Sequence, residues 1–148
     1  MLEFNIYPLS ELKQFQKSDN LYIKVMVFGD REAMYDFYRD NFSGHEENFG
    51  AITCPTPTTY IYQKDQTVEV KDSKICDILF APTTVENKVG GSVVIHESVH
   101  AAFNVYGYLK LKFQYNDEDC DNEEENLAYL IQQIAYLINL KFYELEIW

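Results

Sequence analysis

Apolar and polar side chains alternate from Leu2 to Tyr7, with Leu2, Phe4 and Ile6 on one side and Glu3, Asn5 and Tyr7 on the other. That period of two predicts an opening strand, and Pro8 ends it. A short helix is expected around Leu9 to Gln16, "LSELKQFQ". The run "LYIKVMVF", Leu21 to Phe28, is rich in branched and aromatic side chains, as a largely buried strand should be, and Gly29 stops it. Asp30 is placed to cap a helix through "REAMYDFYRDNF", in which Ala33, Met34, Phe37 and Tyr38 fall on one face.

The middle of the chain returns to a period of two. "TTYIYQKDQTVEVK", Thr58 to Lys71, predicts a hairpin around Lys64, Asp65 and Gln66, with Val68 and Val70 turned inward. A further strand is expected over Ile75 to Pro82, followed by a polar loop from Thr83 to Gly91. The last third has helical periodicity. Ser92 to Leu109 is apolar on nearly all sides, the sign of a buried helix. Asp121 to Trp148 repeats Leu127, Leu130, Ile131, Ile134, Leu137 and Ile138 at helical spacing, behind an Asp121 and Glu124 pair that fits a capping box. Between the two helices "KLKFQYNDEDC" reads as a helix end or a short strand and then an acidic loop. The succession predicts an α+β fold: an N-terminal mixed sheet with a packed helix, then two helices against it, in one domain spanning residues 1–148.

Charge narrows the function classes. Twenty-four acidic against twelve basic side chains leave a net charge of −12, which repels nucleic acid and anionic membrane. The start lacks a basic flank and an h-region, and no apolar run reaches the roughly 20 residues of a membrane helix, so a cytoplasmic chain is expected. Cys54, Cys76 and Cys120 are widely spaced without a CxxC pair and are expected as free thiols.

Candidate chemistry concentrates in "VVIHESVHAAF", Val93 to Phe103. Residues i and i+4 of a helix share a face, so His96 and His100 can direct both imidazoles at one point. Glu97, rotated about 100° from His96, is offset from that point, where a carboxylate can take a proton from a zinc-activated water without itself binding the metal. A catalytic zinc needs a third protein ligand. Phe103 and Tyr106 stand where HExxHxxGxxH needs glycine and histidine, so the ligand must come from elsewhere. "EEENLAYL" supplies Glu123, Glu124 and Glu125. Glu124 fits the capping box with Asp121, Glu123 suits the exposed helix start, and Glu125 heads a face continuing through Ala128, Tyr129 and Gln132 that the small Ala128 would let approach the motif helix. Glu125 is therefore the expected ligand. His45, in the loop "SGHEENFG", is expected as a solvent-exposed residue.

"HESVH" followed by "ENLA" resembles the HExxH plus ExxA pattern of gluzincins, and Gly90 to Gln133 looks like small zincin-like proteins of phages and prophages. The resemblance implies a minimal zincin-like domain in which His96, His100 and Glu125 bind zinc, Glu97 is the general base, and the strand "ICDILFA" is the edge along which an extended peptide lies. It implies a zinc metallopeptidase acting on a peptide or protein. No second histidine stands ready to steady an oxyanion; Tyr106, Tyr108 and Tyr129 are the candidates. Two other readings stay open: a non-catalytic zincin-fold protein that binds a host partner, and an acidic mimic of nucleic acid.

Overall fold

A computed structural model of the chain describes residues 1–10, 21–42, 49–56, 60–62, 68–70, 73–82, 89–113 and 123–147. Along the chain these form β1 (Leu2–Ile6), β2 (Tyr22–Val27), α1 (Arg31–Phe42), β3 (Ala51–Pro55), β4 (Tyr60–Tyr62), β5 (Val68–Val70), β6 (Lys74–Phe80), α2 (Gly91–Phe113) and α3 (Glu123–Glu144). The fold is α+β. Four strands make one mixed sheet in the order β1-β2-β6-β3, and β4 with β5 makes a separate antiparallel pair, as expected of the hairpin. β1 runs antiparallel to β2, β2 parallel to β6, and β6 antiparallel to β3, with Val25 opposite Ile78 and Thr53 opposite Ile78 on its other side.

The sheet carries apolar side chains on both faces because both are covered. Ile23, Val25 and Val27 of β2 and Cys76, Ile78 and Phe80 of β6 face the core they share with α2 and α3. The alternate positions Met26, Phe28 and Leu79 join Cys54 and the buried Met34 of α1 on the opposite face, with Phe37 and Tyr38 packed around them. The Asp30 carboxylate accepts the Ala33 N–H at 2.8 Å, so the helix cap forms as the sequence predicts. Asp77, also buried, is neutralised by the Lys74 ammonium at 3.0 Å, which explains how a carboxylate sits inside β6.

Four expectations are corrected. β6 is not an edge strand: it lies between β2 and β3, and Ile75 to Phe80 are all buried, as an interior strand's residues must be. The edges are β1 and β3, and β3 is the one the sequence pattern does not announce, because "AITCP" is short, half-exposed and ends in Pro55. α2 is longer than Ser92 to Leu109, absorbing residues 110–113, and it is not buried all round, since Ile95, His96, His100, Phe103 and Gly107 are exposed. α3 stops at Glu144 rather than continuing to Trp148. There the Glu146 N–H reaches the Tyr143 carbonyl at 3.2 Å and the Ile147 N–H the Phe142 carbonyl at 2.9 Å, with Glu146 in the left-handed region at φ 57°. This is a Schellman stop, closed by the apolar Ile147 and Phe142.

Most of the helix expected around Leu9 to Gln16, the loop from 83 to 88, His45, Cys120 and Asp121 lie outside the described residues, as do the side chains of Val68 and Val70. Among the described residues no helix is long and apolar enough to cross a membrane. Cys54 and Cys76 are free and buried. Burial, then the negative charges of Asp77 and Glu97, pushes the Cys54 thiol up from 9.0 to about 12. Cys76 is raised further, again mainly by burial. Both should resist a thiol reagent at pH 8 in the native chain and react once it unfolds, because the thiolate is the reactive form. A folded pKa above the unfolded one contributes stability that is complete below pH 9.0 and is lost as the pH climbs toward 12 for Cys54. A pH series of thermal melts should therefore fall on the alkaline side.

Candidate metal centre

α2 starts where Gly90 offers its carbonyl to the Val93 and Val94 N–H groups, at 3.1 and 3.3 Å. Its inner face is Val94, Ser98, Ala101, Ala102, Val105 and Leu109, all at most 1% exposed. The two alanines bring this helix close to its neighbours. Ser98, the polar member, is satisfied within the helix by donating to the Val94 carbonyl at 2.7 Å. This burial fixes the rotation of the helix and so decides where the three motif residues go.

His96 and His100 emerge together on the outer face. Their Nε2 atoms are 3.2 Å apart and their rings 4.9 Å apart between centroids. Two imidazoles bound to a tetrahedral zinc at about 2.0–2.1 Å hold their nitrogens roughly 3.3–3.4 Å apart, so the pair already has the spacing of two zinc ligands. The same spacing suits an N–H···N bond between neutral imidazoles when no ion is bound. For both Nε2 atoms to bind a metal, the donor imidazole would carry its proton on Nδ1 instead, so that each Nε2 presents a lone pair.

Glu97 turns the other way, inward, and is 5% exposed. Its Oε2 accepts a hydrogen bond from the Thr53 hydroxyl of β3 at 2.6 Å. A buried carboxylate needs such a donor, and this one also ties the motif helix to the sheet edge. Thr53 is a site residue the sequence does not reveal: it lies 44 positions away in a strand without a clear pattern. The nearest signal is its polar side chain at a position that turns out to face α2.

The acidic start of α3 is elsewhere. A backbone bond from the Val89 N–H to the Ile147 carbonyl, 3.4 Å, joins the beginning of α2 to the end of α3, so the helices run antiparallel. At 1.5 Å per residue His100 lies about 16 Å from that junction and Glu125 about 33 Å, a mismatch of ~17 Å along the pair. Glu124 and Glu125 are both exposed. The face through Ala128, Tyr129 and Gln132 is exposed too, so it is not the face that meets α2; Leu130, Ile134, Ile138 and Phe142 do that packing. Among the described residues no three His, Cys, Asp or Glu side chains form a group that could hold a metal ion. The structure thus brings His96 and His100 together and sets Glu125 apart. Tyr106 and Tyr108 are buried in the core and Tyr129 is exposed on α3. Comparisons with protein-family models, curated proteins and solved structures found no match to this chain.

Proposed function

We propose that the chain is a small zincin-like zinc-dependent hydrolase, acting on a peptide or protein, with His96 and His100 as metal ligands and Glu97 as general base. The observation that carries this reading is the 3.2 Å between the two Nε2 atoms, a ligand spacing formed on one helix by residues that otherwise would be free to point apart. Zinc held there would supply Lewis acidity toward a carbonyl and acidify a water. Glu97 follows His96 in the sequence with its carboxylate turned inward, Thr53 engaging Oε2; to act as general base its Oε1 would turn toward the pair, receive a proton there and return it to the leaving amine. β3 takes over the part expected of "ICDILFA": among the described residues it pairs with β6 alone, so its outer edge is the one beside Glu97 along which an extended peptide can add.

Glu125 becomes the third ligand only if the first turns of α3 are repositioned when metal binds. Elemental analysis of protein purified without added metal should find about one zinc per chain, and a folded chain that takes up none would end the hydrolase reading. On the same preparation, Glu125→Ala should weaken zinc binding about 10-fold or more while Glu124→Ala keeps it. Equal affinities for both variants would remove Glu125 from the site.

One observation favours a second reading, a non-catalytic protein of the same fold that binds a partner. Glu97 is buried and bonded to Thr53, which is what a purely structural carboxylate would look like. Hydrolysis by the zinc-loaded wild type that is lost in Glu97→Gln supports the first reading, and a zinc-loaded wild type without hydrolysis supports the second.

A further inference from the structure

The outer face of α3 carries the side chains Tyr129, Gln132, Tyr136, Leu140 and Tyr143, all exposed, the tyrosines by 45%, 58% and 74% along the chain. At 100° per residue the five fall within an arc of about 80°, so they make one stripe. Large apolar side chains left in water in a row are the mark of a contact surface. Tyrosine in particular suits a surface that is alternately wet and covered, since its ring buries area and its hydroxyl keeps a partner.

Charge identifies what covers the stripe. From Asn126 to Leu140 the chain has no charged side chain, although it carries −12 overall. A basic partner attracted by that charge would meet carboxylates, whereas a partner bearing the same charge can approach only where there are none. A second copy of this chain is such a partner. The spacing of the stripe agrees: the steps from Tyr129 are 3, 4, 4 and 3, a palindrome centred on Tyr136. A two-fold axis through Tyr136 and perpendicular to the helix superposes this pattern on itself, which is the self-complementarity an isologous interface requires.

We propose that two copies associate through α3, antiparallel, with Tyr136 against the partner's Tyr136, Tyr129 against the partner's Tyr143, and Gln132 against the partner's Leu140. The helices would lie 8–10 Å apart, with their dipoles opposed. The stripe is about 21 Å long, and one helix face of that length buries less than the roughly 800 Å² per partner of a standard interface. The dimer is accordingly a weak one. Since no ion pair holds it and the rest of the chain repels its copy, added salt strengthens it, opposite to an interface built on salt bridges.

Sedimentation velocity tests this across protein concentration and salt. The chain should be monomeric at about 5 µM and largely dimeric at about 500 µM, with the midpoint moving to lower concentration as salt is raised. Tyr136→Lys, which sets two ammonium groups face to face on the axis, should abolish the dimer, and Tyr143→Lys should weaken it at least 10-fold. Both sites are exposed, so the monomer keeps its circular dichroism spectrum. Tyr7→Lys, an exposed tyrosine of the N-terminal segment, should change nothing. Register is tested in a Cys120→Ser background: Tyr136→Cys should oxidise to a disulfide-linked dimer, and Tyr129→Cys should do so only when mixed with Tyr143→Cys. A chain monomeric at every concentration overturns the proposal, as does a Tyr136→Lys variant that dimerises like the wild type or a Tyr129→Cys variant that links to itself.

Discussion

Glu97→Gln should keep the fold and the bound zinc while lowering hydrolysis by about 10²–10⁴-fold, the range lost when a positioned general base is removed. The amide has the shape of the carboxylate, and its oxygen can still accept the Thr53 hydroxyl that Oε2 accepts at 2.6 Å. The tie between α2 and β3 therefore survives. What the amide cannot do is take a proton, so the loss should appear in kcat with KM little changed, provided dissociation of substrate outpaces chemistry. Thermal melts of the two proteins should agree to within a few degrees and zinc content should be equal. A Gln variant that turns over at the wild-type rate would assign Glu97 to structure and overturn its role as general base, whereas a zinc-loaded wild-type chain that hydrolyses no peptide would leave the partner-binding reading in possession.

Phe142→Ala should cost about 3–5 kcal/mol of stability, the range for emptying a buried aromatic site. Phe142 is fully buried in the main core. Its ring meets Phe80 of β6 edge-on at 5.3 Å between centroids and Phe4 of β1 at 6.2 Å, so one side chain holds α3 to two strands of the sheet. Its carbonyl also receives the Ile147 N–H in the helix stop, so the vacated volume lies beside a backbone junction with little freedom to collapse. Urea unfolding reads the loss directly. Tyr143→Ala, one residue on at 74% exposure, should change the midpoint by far less, within about 0.5 kcal/mol.

Periodicity and local chemistry made much of the architecture legible before any coordinates. β1, α1 and the apolar stripe of α3 follow from side chains whose spacing states which face is buried, except that Ala33 of the expected α1 face is exposed; β2 follows from its run of branched and aromatic residues, and Asp30 announces the start of α1. The pairing of His96 with His100 was legible for the same reason: four residues on a helix fix a geometry. Features that depend on which strands become neighbours were not. "ICDILF" reads equally as an interior or an edge strand until β2 and β3 are seen on either side of it, and β3 is too short and mixed to declare itself. Thr53 meets Glu97 only because β3 falls under α2. The outward turn of Ala128 and Gln132 was hidden because Glu125, Ala128 and Tyr129 form as good a stripe as the buried one, and only packing chooses between them.

The parallel joining of β2 to β6 has a consequence for how the chain reaches this state. β1 and β2 are close in sequence and can pair early, but β6 must return from Lys74 to lie beside β2, closing a loop that holds α1, β3 and the β4–β5 pair. Closing about 47 residues costs on the order of 3 kcal/mol in chain entropy before any of the contact is gained. β3 waits longer still, because β6 is the strand it pairs with. A ribosome that has released only the first seventy residues thus exposes β2 with its inner hydrogen-bonding edge bare and its apolar faces uncovered, the kind of half-sheet that pairs with other chains. Aggregation during synthesis should track the time taken to deliver Lys74–Phe80, and slowing translation just before that segment should lower the soluble yield more than slowing it just after.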